Sequence, residues 1–321
     1  MRNKLPVGVL KYTPNCFVVQ ELVRKNGSVQ AVPLCETTRI VGWQGSAPVT
    51  LFHLTKVNRT TQQAVEEVAR QLQVSENAVS SYGLKDRHAR TSQYIGVSGA
   101  FEPRFAHDSI WLQQNGASGY PLTPGGNSGN RFAIEIMTEA RNVDLKGLAT
   151  FPNYFGSQRI GSRESCEIGR FLFEGNFDGA AELFSQHSPY PHRLRRLYNQ
   201  TGSWRDAWLH PSFRFDLKFN LLKWQSWLWN EVVGSLPLSS LPERIPMWSP
   251  EEMASYSHLW QPSQVEPQIV EVAQKFSRRT TVEARRLSSE KTLLGWRFKF
   301  DLPAGAYATV ALSQVFELKE V

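Results

Sequence analysis

The fold class predicted by this 321-residue sequence is α+β, a catalytic-type domain carrying a mainly helical insert, and three observations predict it. Short stretches of apolar alternation occur at Gly8 to Glu21, Thr91 to Val97, Arg131 to Met137 and Trp296 to Leu302. An amphipathic helix beginning at Thr60 falls among the first three, without the strand and helix rhythm of a parallel βαβ sheet. Beyond Asn153 the texture becomes helical, and strand texture returns only in the tail.

From Gly8 to Glu21 the alternation places Phe17, Val19 and Glu21 on one parity and is interrupted at Thr13-Pro14-Asn15, which predicts an edge hairpin. Thr60 with Gln63 three residues later has capping-box spacing, and Ala64, Val65, Val68, Ala69 and Leu72 recur at helical intervals. A shorter helix is expected after Ser75, with Gly83 as its left-handed cap or turn. Gln113 to Asn130 is rich in Gly, Asn, Ser and Pro and reads as a loop.

Glu164 to Phe173, Gly179 to Phe184 and Asn220 to Val233 read as helices, the last with Leu221, Gln225, Leu228 and Val232 along one side. Leu236 to Pro267, with its Pro, Ser and scattered Trp, reads as irregular connections. The tail returns to strand texture at Trp296 to Leu302, turns at Pro303-Ala304-Gly305 and ends in the apolar run Tyr307 to Phe316.

With 41% hydrophobic and 20% charged residues the chain matches a folded globular class rather than a disordered or fibrous one. A net charge of +7 favours a polyanionic partner, because Lys and Arg release counterions from phosphates. The cysteines, Cys16, Cys35 and Cys166, are odd in number and far apart, which fits neither a disulfide framework nor a thiolate zinc site. The start, Met1-Arg2-Asn3-Lys4-Leu5-Pro6, lacks the apolar run of a signal peptide, and no stretch reaches the about 18 apolar residues of a membrane span. A cytoplasmic location is expected, with a monomer as the default because no heptad pattern is present. The seven histidines show no metal-ligand spacing, and no G-x-S-x-G nucleophile motif follows a strand.

Two polar clusters could carry chemistry. Gly83-Leu84-Lys85-Asp86-Arg87-His88-Ala89-Arg90 places five ionisable side chains in six positions between a helix and a strand. Its residues allow a solvated turn in which Asp86 caps a backbone amide, or a nucleophilic or basic Asp86 amid the positive charge of Lys85, Arg87 and Arg90. The second cluster, Asn153 to Ser162, crowds amides, aromatics and an arginine between glycines. That suits either a helix-start loop with core aromatics or the stacking and edge recognition of a splayed pyrimidine.

Both clusters resemble signatures of the D family of pseudouridine synthases, in which a Gly-Leu-Lys-Asp loop and an Asn-Tyr-Phe-Gly-x-Gln-Arg loop meet. Further segments resemble the family in the same order: Phe17 to Glu21, Gly129-Asn130-Arg131-Phe132, Trp224 to Asn230, and Leu302 to Thr309. The chain departs from the pattern at Pro14-Asn15-Cys16, where the family has an acidic pair, at Ile160, where an aromatic is usual, and at Asp108 to Ser128, which is nearly uncharged.

The resemblance implies a pseudouridine synthase catalytic domain with a mixed, mainly antiparallel sheet, formed by residues 1–154 and 300–321. Residues 155–299 would be the inserted family-specific helical domain, with an RNA cleft between the two. It makes Asp86 the essential aspartate, Lys85 and Glu21 members of its pocket, and Asn153 and Phe155 the residues that hold the target uracil. Gln158, Arg159, Gly161 and Arg131 are carried over as supporting or RNA-contacting residues. The implied reaction converts uridine 13 in the D-arm of tRNA to pseudouridine, without cofactor or metal and with no obligate protein partner. Asp86 would act either at C1′ as a nucleophile or on the 2′ proton as a base. Candidate tRNA contacts are Arg193, Arg195, Arg196, Arg278, Arg279, Arg285 and Arg286, with Tyr198 and Trp204 as stacking surfaces. A catalytically silent RNA-binding protein on the same fold, or an RNA glycosidic-bond hydrolase, are the alternatives.

Overall fold

The computed structural model describes residues 5–43, 45 and 47–320, so the Met1 to Lys4 portion of the start lies outside the described residues. The chain forms two compact units, Met1–Thr150 with Glu283–Val321, and Phe151–Val282. The family resemblance places these boundaries at 154/155 and 299/300. The second boundary lies earlier because Arg285–Lys291 and Gly295–Pro303 are successive strands of the first unit's sheet.

That sheet is built from β1 (Val7–Leu10), β2 (Phe17–Lys25), β3 (Ser28–Ala31), β4 (Val49–Val57), β5 (Val79–Ser81), β6 (Arg90–Ser98), β7 (Ile110–Ser118), β8 (Gly129–Met137), β9 (Arg285–Lys291), β10 (Gly295–Pro303) and β11 (Glu317–Glu320). Its main order is β9-β10-β8-β2-β6-β4-β7. Pairing is antiparallel except for β2 with β6 and β1 with β11. Helix α1 (Thr61–Leu72) begins with the expected reciprocal capping box between Thr60 and Gln63. Its Ala64, Val68 and Leu72 pack on Phe52, Leu54, Ile95, Val97, Ile110 and Leu112 of the sheet, all buried.

Several expectations are corrected. β1 and β2 do not form a hairpin: β1 pairs with β11 and β8, and β2 with β8, β6 and β3, so both use β8 as a common neighbour. After Ser75 only a single 3-10 turn forms, running directly into β5 at Val79, and Gly83 is not left-handed and caps no helix; the left-handed cap in this region is Gln73 (φ 55°) at the end of α1. The first third of the expected loop from Gln113 is strand β7, whose polar residues bond across the fold. The Gln114 side chain accepts from the Val41 and Gly42 amides, and Asn115 donates to Tyr94. In the tail, Ala308–Leu312 is helical and the final strand is Glu317–Glu320.

Gly129 opens β8 at φ +146°, where an added Cβ would lie 2.1 Å from the Leu302 carbonyl oxygen. Only glycine permits this close pairing of β8 with β10, which sets the register Asp301↔Arg131.

The second unit is mainly helical: α2 (Ser157–Ile160), α3 (Arg163–Phe173), α4 (Phe177–His187), α5 (Pro191–Thr201), α6 (Trp204–Leu209) and α7 (Arg214–Gly234). Leu221, Gln225, Leu228 and Val232 of α7 are buried as the spacing predicts. Within the segment read as irregular, Arg244–Pro246 pairs antiparallel with Ser277–Arg279, placing Ile245 opposite Arg278. Trp229 of α7 donates its indole N–H to the Ile245 carbonyl at 3.1 Å, which ties this small ribbon to the helices.

Candidate active site

β2 and β6 pair in parallel only as far as Gln20↔Ser92. At the next position Glu21 substitutes its side chain for the ladder, accepting the Tyr94 backbone N–H on Oε2 at 2.9 Å. Its Oε1 accepts from the Lys85 ammonium at 2.6 Å, and the two side chains are 0% and 5% exposed. Burial pushes the Glu21 carboxyl up, and the Lys85 ammonium and the Tyr94 amide pull it back.

The Lys85 backbone is held as firmly as its side chain. Its N–H donates to Thr61 Oγ1 at 2.9 Å; Thr61 in turn donates to Gln93 Oε1, and Gln93 Nε2 donates to the Gly83 carbonyl. Thr61 is the first residue of α1 and Gln93 lies on β6, so two rigid elements fix the loop. A third anchor is Lys56 on β4, whose ammonium donates to the carbonyls of Arg59 and Asp86, both at 2.7 Å, and of Lys85 at 3.4 Å. Burial pushes the Lys56 ammonium down to about 8; Asp86 opposes that shift and Lys85 adds to it.

The Asp86 carboxylate projects from this fixed backbone with its side chain 22% exposed, and Lys11 Nζ lies 3.9 Å from its Oδ1. Lys11 itself takes a left-handed φ of 58° just after β1, and its ammonium sits 4.9 Å from the centre of the Phe17 ring. Leu84, Arg87 and His88 are exposed around it. A partly accessible carboxylate on an immobilised backbone suits a nucleophile or a base, both of which need a fixed line of approach.

Asn153 and Phe155 come together in the second unit with Arg278. The Arg278 guanidinium donates to the Asn153 carbonyl and to its Oδ1, each at 2.8 Å, and lies 4.0 Å from the centre of the Phe155 ring. Asn153 Nδ2 donates to the Arg279 carbonyl, while the Phe155 amide and carbonyl bond reciprocally to the Asn230 side chain. Trp229 meets the Phe155 ring edge-on at 5.6 Å. Asn153, Phe155 and Arg278 are all buried, so the sequence expectation of Arg278 as a surface contact is corrected: its charge turns inward.

The remaining candidates are dispersed. Gln158 is exposed and Arg159 half-buried on the single turn α2, and Gly161 ends it at φ 73°. Arg131 forms a bidentate pair with Asp301 on the neighbouring strand. Of the basic candidates, Arg193 pairs with Asp216, Arg279 with Glu243 and Arg286 with Asp301, while Arg195, Arg196 and Arg285 are exposed. Tyr198 and Trp204 stack on each other at 4.1 Å, with Arg195 above both rings. Among the described residues no group of three or more His, Cys, Asp or Glu is placed to hold a metal ion, and no helix is long and apolar enough to cross a membrane.

Sequence reasoning missed Lys11 and Lys56. The signal for Lys56 was present: it shares strand parity with the buried Phe52 and Leu54, and a lysine on a core-facing parity requires internal acceptors.

Comparison with known proteins agrees with the motifs. A Thermococcus onnurineus (strain NA1) protein named a probable tRNA pseudouridine synthase D is 30% identical over 240 residues, 60% of this chain and 56% of that protein. A Pyrobaculum arsenaticum protein of the same name is 34% identical over 210 residues, 59% of this chain and 48% of its own. The tRNA pseudouridine synthase D of Sulfurimonas denitrificans is 31% identical over 177 residues, 51% and 45% respectively. The chain spans about half the length of the curated relatives it matches. A crystal structure from Methanosarcina mazei, of a chain assigned to tRNA pseudouridine synthase D, superposes with a TM-score of 0.64 at 17% identity, covering 99% of this chain and 95% of that one. The fold is therefore shared, including a mixed sheet and a helical insertion. The model of the tRNA pseudouridine synthase D (TruD) family matches residues 5–217, more than half of the chain, and the chain belongs to that family.

Proposed function

We propose that this protein is a tRNA pseudouridine synthase, an isomerase that converts a uridine, uridine 13 of the D-arm, to pseudouridine with Asp86 as the reacting carboxylate. The observation that carries this reading is the Asp86 carboxylate itself. It is partly accessible, lies 3.9 Å from the Lys11 ammonium, and projects from a backbone clamped by Lys56. Family membership and the named relatives support the reaction class.

The reaction breaks the bond between N1 and C1′, turns the uracil, and forms a bond between C5 and C1′. The proton lost from C5 is balanced by one gained at N1, so no oxidant, reductant or group carrier is needed. Asp86 either attacks C1′ and is later displaced by C5, or removes the 2′ proton to give a glycal that is then reprotonated. Confinement of the detached base keeps it at high effective concentration, an advantage worth about 7–11 kcal/mol in well-oriented cases.

We assign Lys85 and Glu21 to the support of the Asp86 loop, and Asn153 and Phe155 to capture of the uracil, with Arg278 exchanging its contacts when a base arrives. Gln158, Arg159, Gly161 and Arg131 have supporting or RNA-contacting duties in this reading. The protein acts as a cytoplasmic monomer on tRNA. Incubating wild type and Asp86→Asn with unmodified tRNA transcripts, followed by nucleoside mass analysis and carbodiimide mapping, tests the whole assignment. Pseudouridine at one position from wild type alone is expected. Tight binding without product would support the silent RNA-binding alternative, and an abasic site with free uracil would support a hydrolase.

A further inference from the structure

Lys56 has no exposed surface, and it lies at the end of β4, where Lys56 faces Thr91 and Val57 faces Arg90 in the ladder with β6. Its Cα is thus fixed by the sheet. Lys85 and Asp86 belong to neither helix nor strand, and the residues after them regain the sheet only at Arg90. We propose that Lys56 is a positioning residue for Asp86, its ammonium gathering the carbonyls of Arg59, Lys85 and Asp86 so that the carboxylate projects from a fixed backbone. The inference rests on the reading of Asp86 as the reacting carboxylate.

The chemistry of the ammonium explains why lysine stands here. It is a single atom with three N–H donors and no acceptor, and three carbonyl oxygens use all three. Guanidinium spreads its donors over a plane, and an amide offers two donors with an acceptor that would face carbonyl oxygen. Bonds from a charged donor are also about twice as strong as neutral ones. Two of the three acceptors are the carbonyls of Lys85 and Asp86, so the contact acts on the two peptide planes that flank the Asp86 Cα. Arg59 supplies the third from the turn between β4 and α1, linking the loop to both elements.

The test compares wild type with Lys56→Met, which keeps the length of the side chain and removes every donor. Amide hydrogen exchange is measured along the chain, with tRNA affinity and single-turnover pseudouridine formation. The expected result is exchange at residues 84–89 faster by about tenfold or more, with protection of β4 and β6 retained. Turnover should fall by about 100-fold, the scale of a misplacement near 1 Å, while the tRNA Kd changes by less than about threefold.

Unchanged exchange at 84–89 overturns the proposal whether or not product is formed. If wild type forms no pseudouridine, the functional reading fails separately and the exchange result still decides the clasp. A rate loss that tracks a general loss of protection also overturns it, since Lys56 would then be structural only. Should Lys56→Met not fold, Lys56→Gln, with two donors, is measured in the same way; failure of both to fold counts against a positioning role.

Discussion

Lys85 Nζ lies 2.6 Å from Glu21 Oε1, across a separation of 64 positions in the chain and with almost no solvent access to either side chain. The pair joins the loop that carries Asp86 to β2 at the centre of the sheet. Because Glu21 also accepts the Tyr94 amide, one carboxylate terminates the β2 and β6 ladder and anchors the loop together.

Removing the cation from this pair should be harmful. Lys85→Met leaves the Glu21 carboxylate buried without a counter-charge, at a cost of about 3–5 kcal/mol. Urea unfolding followed by circular dichroism checks this, and adding Glu21→Gln should recover much of the loss because the charge disappears. The pH dependence has a definite sign. Burial holds the Glu21 carboxyl above its ordinary value, so the folded state binds the proton more readily. Stability from this group therefore falls as pH rises from the unfolded value through the folded one. Lys85→Met should extend that fall to higher pH, and a pH-independent difference between the proteins would refute the assignment.

Thr61→Val offers a nearly isosteric test of the loop from the helix side. Valine removes the hydroxyl that accepts the Lys85 amide and donates to Gln93, leaving a backbone donor without its partner. The expected destabilisation is about 1–3 kcal/mol. Turnover should fall more than tRNA affinity does, and equal losses in both would count against a role in orienting the loop.

The sequence made some of this legible and concealed the rest for a physical reason. The capping box at Thr60 and Gln63 involves residues three apart, so its donors and acceptors are written side by side. Glu21, Lys85 and Asp86 were identifiable from motif resemblance and polar density. Lys56 was legible only as a lysine on a core-facing parity; its acceptors were not, because they are backbone carbonyls, one of them 30 residues away, and carbonyls carry no side-chain identity. Arg278 was misread for a similar reason: a basic run looks solvent-facing until Asn153 and Tyr154 supply inward acceptors. Continuous apolarity in the run Tyr307 to Phe316 does not distinguish a strand from the short buried helix that Ala308–Leu312 forms.

Phe155 allows packing and base capture to be separated. Phe155→Ala empties a buried site against Trp229 and Arg278 and should cost about 3–5 kcal/mol of stability. Phe155→Leu retains much of the volume, and its cost should stay below about 1.5 kcal/mol. If the ring stacks on the target uracil, the leucine variant should still lose about tenfold in turnover, since base stacking is worth about 1–3 kcal/mol. Full activity in a folded Phe155→Leu protein would remove Phe155 from the capture set.

Lys56 should give activity and stability opposite dependences on pH. Burial pushes its ammonium down to about 8, against the favourable charge of Asp86 and with the repulsion of Lys85. The neutral amine has two N–H donors and a lone pair, too few donors for three carbonyls. Turnover at saturating tRNA should therefore fall as pH rises through about 8. Stability should move the other way, because the unfolded lysine keeps its proton up to about 10.5, above the folded value. Between those values the unfolded chain binds more protons, so the unfavourable burial of charge is fully present below about 8 and is relieved as pH rises. The stability of wild type minus that of Lys56→Met should then climb with pH, with a slope of at most about 1.4 kcal/mol per unit. Chemical denaturation and single-turnover rates measured at the same series of pH values would detect both trends. A stability difference that is flat from pH 7 to about 9.5 would show that Lys56 does not titrate in this range.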